Sequence, residues 1–237
     1  MISAVLFDLD ETLLDRTTSL VAFLGDQHSR FAAGLGSGSF ETWRDRFLEF
    51  DARGRVPKAV VYRSLLAEFH GDASLAETLL SDYRTRCSRF ARPCDGMAST
   101  LMLLRAKGLR LGVVTNGETE FQARHVEALG LDSLVDAVLV SQTEGFRKPD
   151  AALFRLAAGR LGVELANCLF VGDNPVADIL GADAAGMATA WFRCGQEWPP
   201  ALPPTPGFVI DRLSDLLELT NQDPGPKKLS PRRATWP

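Results

Sequence analysis

Cysteine is scarce, four residues in 237, and Cys87, Cys94, Cys168 and Cys194 share no CxxC or other metal-type spacing. That excludes a disulfide scaffold and a thiolate metal site, and reduced thiols in a cytoplasmic protein are expected. No uncharged apolar run approaches the roughly 18 residues that a membrane span needs, so no membrane partner is expected. No basic segment opens the chain and Asp8 breaks the first apolar run, so a secretory signal is not expected either. The three histidines, His28, His70 and His125, fall on expected helices or their ends with no matched partner. With a net charge of −4, no nucleic-acid partner is expected.

What is present is the ordinary balance of a globular protein, 46% hydrophobic and 24% charged residues, at a length that suits a core with an inserted smaller domain. The charge is unevenly spread. Residues 16–92 hold 12 Lys/Arg against 9 Asp/Glu, and residues 221–237 hold 4 against 1, whereas the remainder holds 10 against 20. An acidic core carries a mildly basic insert, which is consistent with a cation in the core and an anionic ligand beneath the insert.

The apolar run of residues 2–7, ISAVLF, is followed at once by three acids, Asp8, Asp10 and Glu11. A short continuous apolar run reads as a central parallel strand buried on both faces. Similar runs recur at Leu109–Val114, Ala137–Val140, Cys168–Val171 and Ala188–Phe192, separated by helical periodicity near 97–107, 119–129, 150–161 and 176–185. Gly108, Gly130, Gly162 and Gly186 stand where a helix ends in a left-handed residue. This alternation predicts an α/β fold, a Rossmann-like parallel sheet with helices on both faces. Residues 16–92 break it: helices near 18–34, 40–50, 58–69 and 74–90 and no strand predict an inserted all-α domain. The division is thus a core of 1–15 and 93–220, a helical insert of 16–92, and a tail of 221–237 whose four prolines predict an extended or disordered segment.

Ligands of an open α/β sheet gather beyond the carboxyl ends of its strands. Those ends read DLDET (8–12), TNG (115–117), GFRKPD (145–150) and GDNPVAD (172–178). Asp8 and Asp10 are two apart, so an extended backbone sends both side chains from one face. Close like charges near a core are costly unless something offsets them, and a bound cation does so most economically. Singly, each residue has a plainer reading: Asp10 an N-cap, Asp173 an Asx turn, Lys148 a solvated lysine. Jointly, four strand ends in order point to one site.

In this order and at these positions the four motifs resemble those of the haloacid dehalogenase (HAD) superfamily, and the insert resembles its C1 helical cap. The likeness spans residues 1–219 and implies a phosphatase. Asp8 would be the nucleophile that forms an aspartyl-phosphate, and Asp10 the acid and base. Mg²⁺ would be held by Asp8, the backbone carbonyl of Asp10 and Asp173. Asp178 would act from behind, orienting a water or Lys148. Thr115 with the backbone N–H groups of Asn116 and Gly117 would grip phosphoryl oxygens, and Lys148 would supply positive charge.

In enzymes of this kind the cap selects the substrate, here a small phosphorylated metabolite. Its loop 51–62 offers Arg53, Arg55 and Lys58 as anion contacts or as a solvated basic turn, with Phe50 and Tyr62 as apolar walls. The segment GLGSGS (34–39) reads as a flexible turn. A phosphomutase or a dehalogenase on the same fold is the alternative within the family, although Asp10 and the Asp173/Asp178 pair argue against the dehalogenase. From another class, a phospho-accepting signalling domain would be about half this length and lack the insert. Oligomeric state and the identity of the substrate are not readable.

Overall fold

The computed structural model describes residues 1–202 and 206–220; the tail of 221–237 lies outside the described residues. Six parallel strands form one sheet in the order β3-β2-β1-β4-β5-β6. They are β1 (Ala4–Phe7), β2 (Arg110–Thr115), β3 (Ala137–Val140), β4 (Cys168–Gly172), β5 (Ala188–Phe192) and β6 (Phe208–Ile210). Both neighbours of β1 are parallel to it, Ala4 pairing with Arg110 on one side and Cys168 on the other. All four of its residues are buried. The two-residue period of a strand then sorts its side chains between two cores. Val5 and Phe7 join the cluster under α5 (Met97–Ala106) and α6 (Thr119–Ala128), whereas Ala4 and Leu6 join the one under α8 (Ala151–Leu161) and α9 (Gly181–Ala185).

Between β1 and α5 lie α1 (Arg16–Phe31), α2 (Phe40–Asp51), α3 (Lys58–Glu68) and α4 (Ala76–Arg86). These helices bury a cluster of their own, built around Phe23, Phe47, Tyr62, Leu65 and Leu79. The segments that enter and leave the insert run side by side: Asp15 N–H donates to Arg92 O and Cys94 N–H to Leu13 O. Short helices α7 (Ser141–Glu144) and α10 (Leu216–Leu219) complete the fold. Among the described residues, no helix is long and apolar enough to cross a membrane.

Three expectations differ from the structure. Strand β6 was not anticipated; it is a three-residue edge strand with Val209 half-exposed, too short to show a pattern. The stretch 34–39 is tied down, with Ser37 N–H donating to Phe69 O and Asp72 N–H to Gly34 O. The helix expected over 176–185 begins as a wide π-helical turn, Pro175–Leu180, in which both Asp178 and Ile179 donate to Asn174 O.

Candidate active site

Every strand end named by the sequence opens into one cavity of about 480 Å³, lined by Asp8, Asp10, Thr115, Asn116, Lys148, Asp173 and Asp178 from the core. The insert closes its other side with Arg16, Arg53, Arg55, Lys58 and Tyr83. Asp8 continues β1 by one residue, its N–H bonded to Val171 O of β4 at 2.9 Å. A tight turn follows, in which Leu9 O accepts from the N–H groups of Thr12, Leu13 and Leu14, and this turn carries Asp10 back over the strand end.

The charges converge on the end of β1. Lys148 Nζ lies 2.6 Å from Asp8 Oδ1 and 2.6 Å from Asp178 Oδ1. Oxygens of Asp8, Asp173 and Asp178 all lie within 4.8 Å of one another. Close approach of Asp178 requires Gly172: a Cβ there would stand 2.6 Å from the Asp178 Cγ, so no larger residue fits. The Asp173 backbone is fixed from β5, where the Trp191 indole N–H donates to Asp173 O at 2.9 Å.

Three buried carboxylates against one lysine leave an excess of negative charge. Burial, reinforced by Asp178, pushes the Asp173 carboxyl up to about 7 against the pull of Arg53. Burial likewise raises the Asp8 carboxyl well above its ordinary range, opposed by Lys148 and aided by Asp178, Asp173 and Asp10. Burial would lower the Lys148 ammonium, but Asp178 and Asp8 more than offset it, so the lysine stays charged. All-oxygen donors with surplus negative charge are the donor set that a hard divalent cation takes.

Asp10 stands apart from that cluster. Its Oδ2 accepts from Gln122 Nε2 at 2.9 Å, and the Arg16 guanidinium lies 3.9 Å from Oδ1. Gln122, a residue with no sequence signature, also donates to Thr115 Oγ1 at 3.1 Å and Asn116 O at 3.3 Å. The only pointer to it was its place on the first turns of the helix after the TNG motif. Gly117 makes room for it, since a Cβ there would meet Gln122 Cγ at 2.8 Å.

Three expectations differ from the geometry. The Gly117 N–H, expected to grip phosphoryl oxygens, donates to Ser141 Oγ at 3.0 Å. The Asn116 side chain clamps the lysine loop, donating to Lys148 O and accepting from Lys148 N–H, both at 2.9 Å. Lys58, expected to contact substrate, is drawn to the buried Asp51, which also holds Arg16 at 2.8 Å. The basic loop thus keeps its own counter-ion. Finally, Tyr62 lies inside the insert with its hydroxyl on Gln27, and Phe50 packs under Arg46. The aromatic walls of the cavity are Tyr83 of the insert and Phe121 of the core, stacked with ring centroids 5.0 Å apart. Arg53 does reach the core, its Nη2 3.0 Å from Asp173 Oδ2, and Arg55 is exposed on the cavity wall.

The chain is similar to known proteins along nearly its whole length. The chain is 31% identical over 234 residues to the glyceraldehyde 3-phosphate phosphatase of Methanopyrus kandleri, covering 94% of this chain and 98% of that protein. Among solved structures, the HAD phosphatase of Thermococcus onnurineus is 27% identical with a TM-score of 0.65, over 92% of this chain and 98% of its own. The 2-haloacid dehalogenase of Pseudomonas syringae pv. Tomato is 30% identical with a TM-score of 0.63, over 93% and 99%. Residues 2–186 match the haloacid dehalogenase-like hydrolase profile. The chain belongs to the haloacid dehalogenase-like hydrolases.

Proposed function

We propose that the protein is a Mg²⁺-dependent phosphatase that hydrolyses a small phosphorylated metabolite through an aspartyl-phosphate on Asp8, and that it works in the cytoplasm. The observation that carries this reading is the convergence of Asp8, Asp173 and Asp178 on one point, with Lys148 bridging Asp8 and Asp178. Asp8, Asp173 and the carbonyl of Asp10 would hold the ion, with Asp178 beside them. When bound, Mg²⁺ cancels the repulsion between carboxylate and phosphate and draws charge from the phosphoryl oxygens.

The chain's own residues supply the rest. Lys148 holds Asp8 Oδ1 and leaves the other carboxylate oxygen to attack phosphorus. As the Oδ–P bond forms, the ester P–O bond breaks and Asp10 protonates the departing oxygen. Water then attacks the aspartyl-phosphate, Asp10 takes its proton, and inorganic phosphate leaves with Asp8 restored. Gln122 aims Asp10 and turns the Thr115 hydroxyl, so one amide sets both the proton donor and a phosphoryl contact. Asn116 fixes the backbone of Lys148, and Asp178 steadies its ammonium. The helical insert acts as a cap that shuts water out of the cavity.

A relative's name, glyceraldehyde 3-phosphate phosphatase, supports a small phosphomonoester. The likeness to a dehalogenase carries less weight here, because attack on carbon needs neither Asp10 nor the acid cluster. The test is phosphate release from a panel of phosphomonoesters with and without EDTA. Release that EDTA abolishes and Asp8→Asn removes is expected; release that survives in Asp8→Asn beyond a trace overturns the assignment.

A further inference from the structure

Arg53 is the point at which the cap touches the acid cluster, and its surroundings differ from those of the other cation there. Lys148 is 2% exposed and contacts both Asp8 and Asp178. Arg53 is 45% exposed and contacts Asp173, the carboxylate that Lys148 does not reach. A buried lysine between two acids is a fixed part of the site. A half-exposed guanidinium on one acid is readily exchanged, because water competes for it at every moment. The backbone from which the Asp173 carboxylate extends is held by Trp191.

The loop that carries Arg53 is set for this contact. Ala52 and Arg53 are both left-handed, at φ 45° and 58°, and Gly54 follows at 82°. Two consecutive non-glycine residues in that region are strained and persist only where the surroundings enforce them. Asp51 enforces them: its Oδ2 accepts the Gly54 N–H at 2.8 Å, and Arg16 and Lys58 pin the carboxylate in turn. The strain projects one guanidinium across the cavity onto the acid cluster.

Resting on the phosphatase reading, we propose that Arg53 is an exchangeable counter-ion: it closes the cap onto Asp173 while the metal is away and gives that carboxylate up when a divalent ion loads. Ion loading and cap release are then two ends of one equilibrium, linked through Asp173. Arg53 competes with the ion, so removing its charge tightens ion binding in the absence of substrate. An ion pair of this exposure corresponds to a factor of about five.

The experiment is calorimetric titration of Mg²⁺ into the full-length protein without substrate, for wild type, Arg53→Gln, Arg53→Gly and Arg55→Gln. Arg53→Gly suits the left-handed backbone, so it removes the charge without adding strain. Both Arg53 variants are expected to bind Mg²⁺ about fivefold more tightly than wild type, and Arg55→Gln to match wild type. In 0.5 M salt, a chosen condition, the gap should narrow as the competing pair is screened. Equal or weaker binding in the two Arg53 variants overturns the exchange while leaving the metal assignment intact. No Mg²⁺ binding by any of the four overturns the metal assignment, and the exchange with it.

Discussion

Replacing Asp51 by asparagine removes one buried negative charge from the helical insert and leaves shape almost unchanged. The carboxylate is 1% exposed, and its partners Arg16 and Lys58 are 14% and 12% exposed. Deleting one partner of a buried ion pair costs about 3–5 kcal/mol, because the remaining charge stays desolvated. Here the loss falls toward the lower end. Asparagine keeps an oxygen for the Gly54 N–H, and Arg16 retains Asp10 at 3.9 Å. A destabilisation of about 3 kcal/mol lowers the melting temperature of a chain this size by about 6–12 °C. The assay is a thermal melt of both proteins at neutral pH and low salt, checked by urea denaturation. A drop smaller than about 2 °C would refute the reasoning, since the buried triad would then carry less than a surface pair.

Burial would raise the Asp51 carboxyl, but Arg16 and Lys58 overcome it and hold it below the usual carboxylate range. A depressed carboxyl stabilises the fold above its unfolded value and loses that contribution as pH falls through its folded value. The stability gap between wild type and Asp51→Asn should therefore be full above about pH 4 and close in stronger acid, as melts across a pH series would reveal. Asp173→Asn relieves repulsion at the acid cluster, so the metal-free protein should melt higher than wild type while its activation by Mg²⁺ shifts to concentrations about tenfold higher or more; an unchanged magnesium dependence rejects Asp173 as a ligand. Gln122→Ala should lower kcat about 10- to 100-fold with KM little altered, because the residue orients Asp10 without holding the substrate. A change confined to KM would place Gln122 in binding instead.

The parts of this molecule that follow from local pattern were readable before any coordinates. Strands β1 to β5 are largely buried, mostly apolar runs, and buried parallel strands show as continuous apolar sequence. Gly162 and Gly186 were expected to be left-handed, and both are. The acids at the strand ends were legible because four such ends had to meet on one rim, and Asp8, Lys148, Asp173 and Asp178 do meet there. What stayed hidden depends on pairing between distant residues. Asp51 stood in plain view beside Arg53, Arg55 and Lys58. That it neutralises Lys58 while setting the backbone of Arg53 requires α1 to bring Arg16 alongside, which no spacing reveals. Gln122 is likewise an unremarkable helix residue until the turn at Gly117 sends its amide to Asp10, 112 positions away. Tyr83 and Phe121 became the cavity walls in place of Phe50 and Tyr62 because the relative seating of insert and core is a tertiary fact.

The bond from the Trp191 indole to the Asp173 carbonyl gives the protein a built-in optical gauge. A tryptophan buried at 2% exposure, edge-on to Trp198, has an emission and a near-ultraviolet dichroism that depend on the field around its ring. That field changes whenever the charge on the neighbouring carboxylate is screened or uncovered. Ion loading at the proposed metal centre is therefore expected to alter the fluorescence of the unlabelled protein with substrate absent, over the background of the other tryptophans.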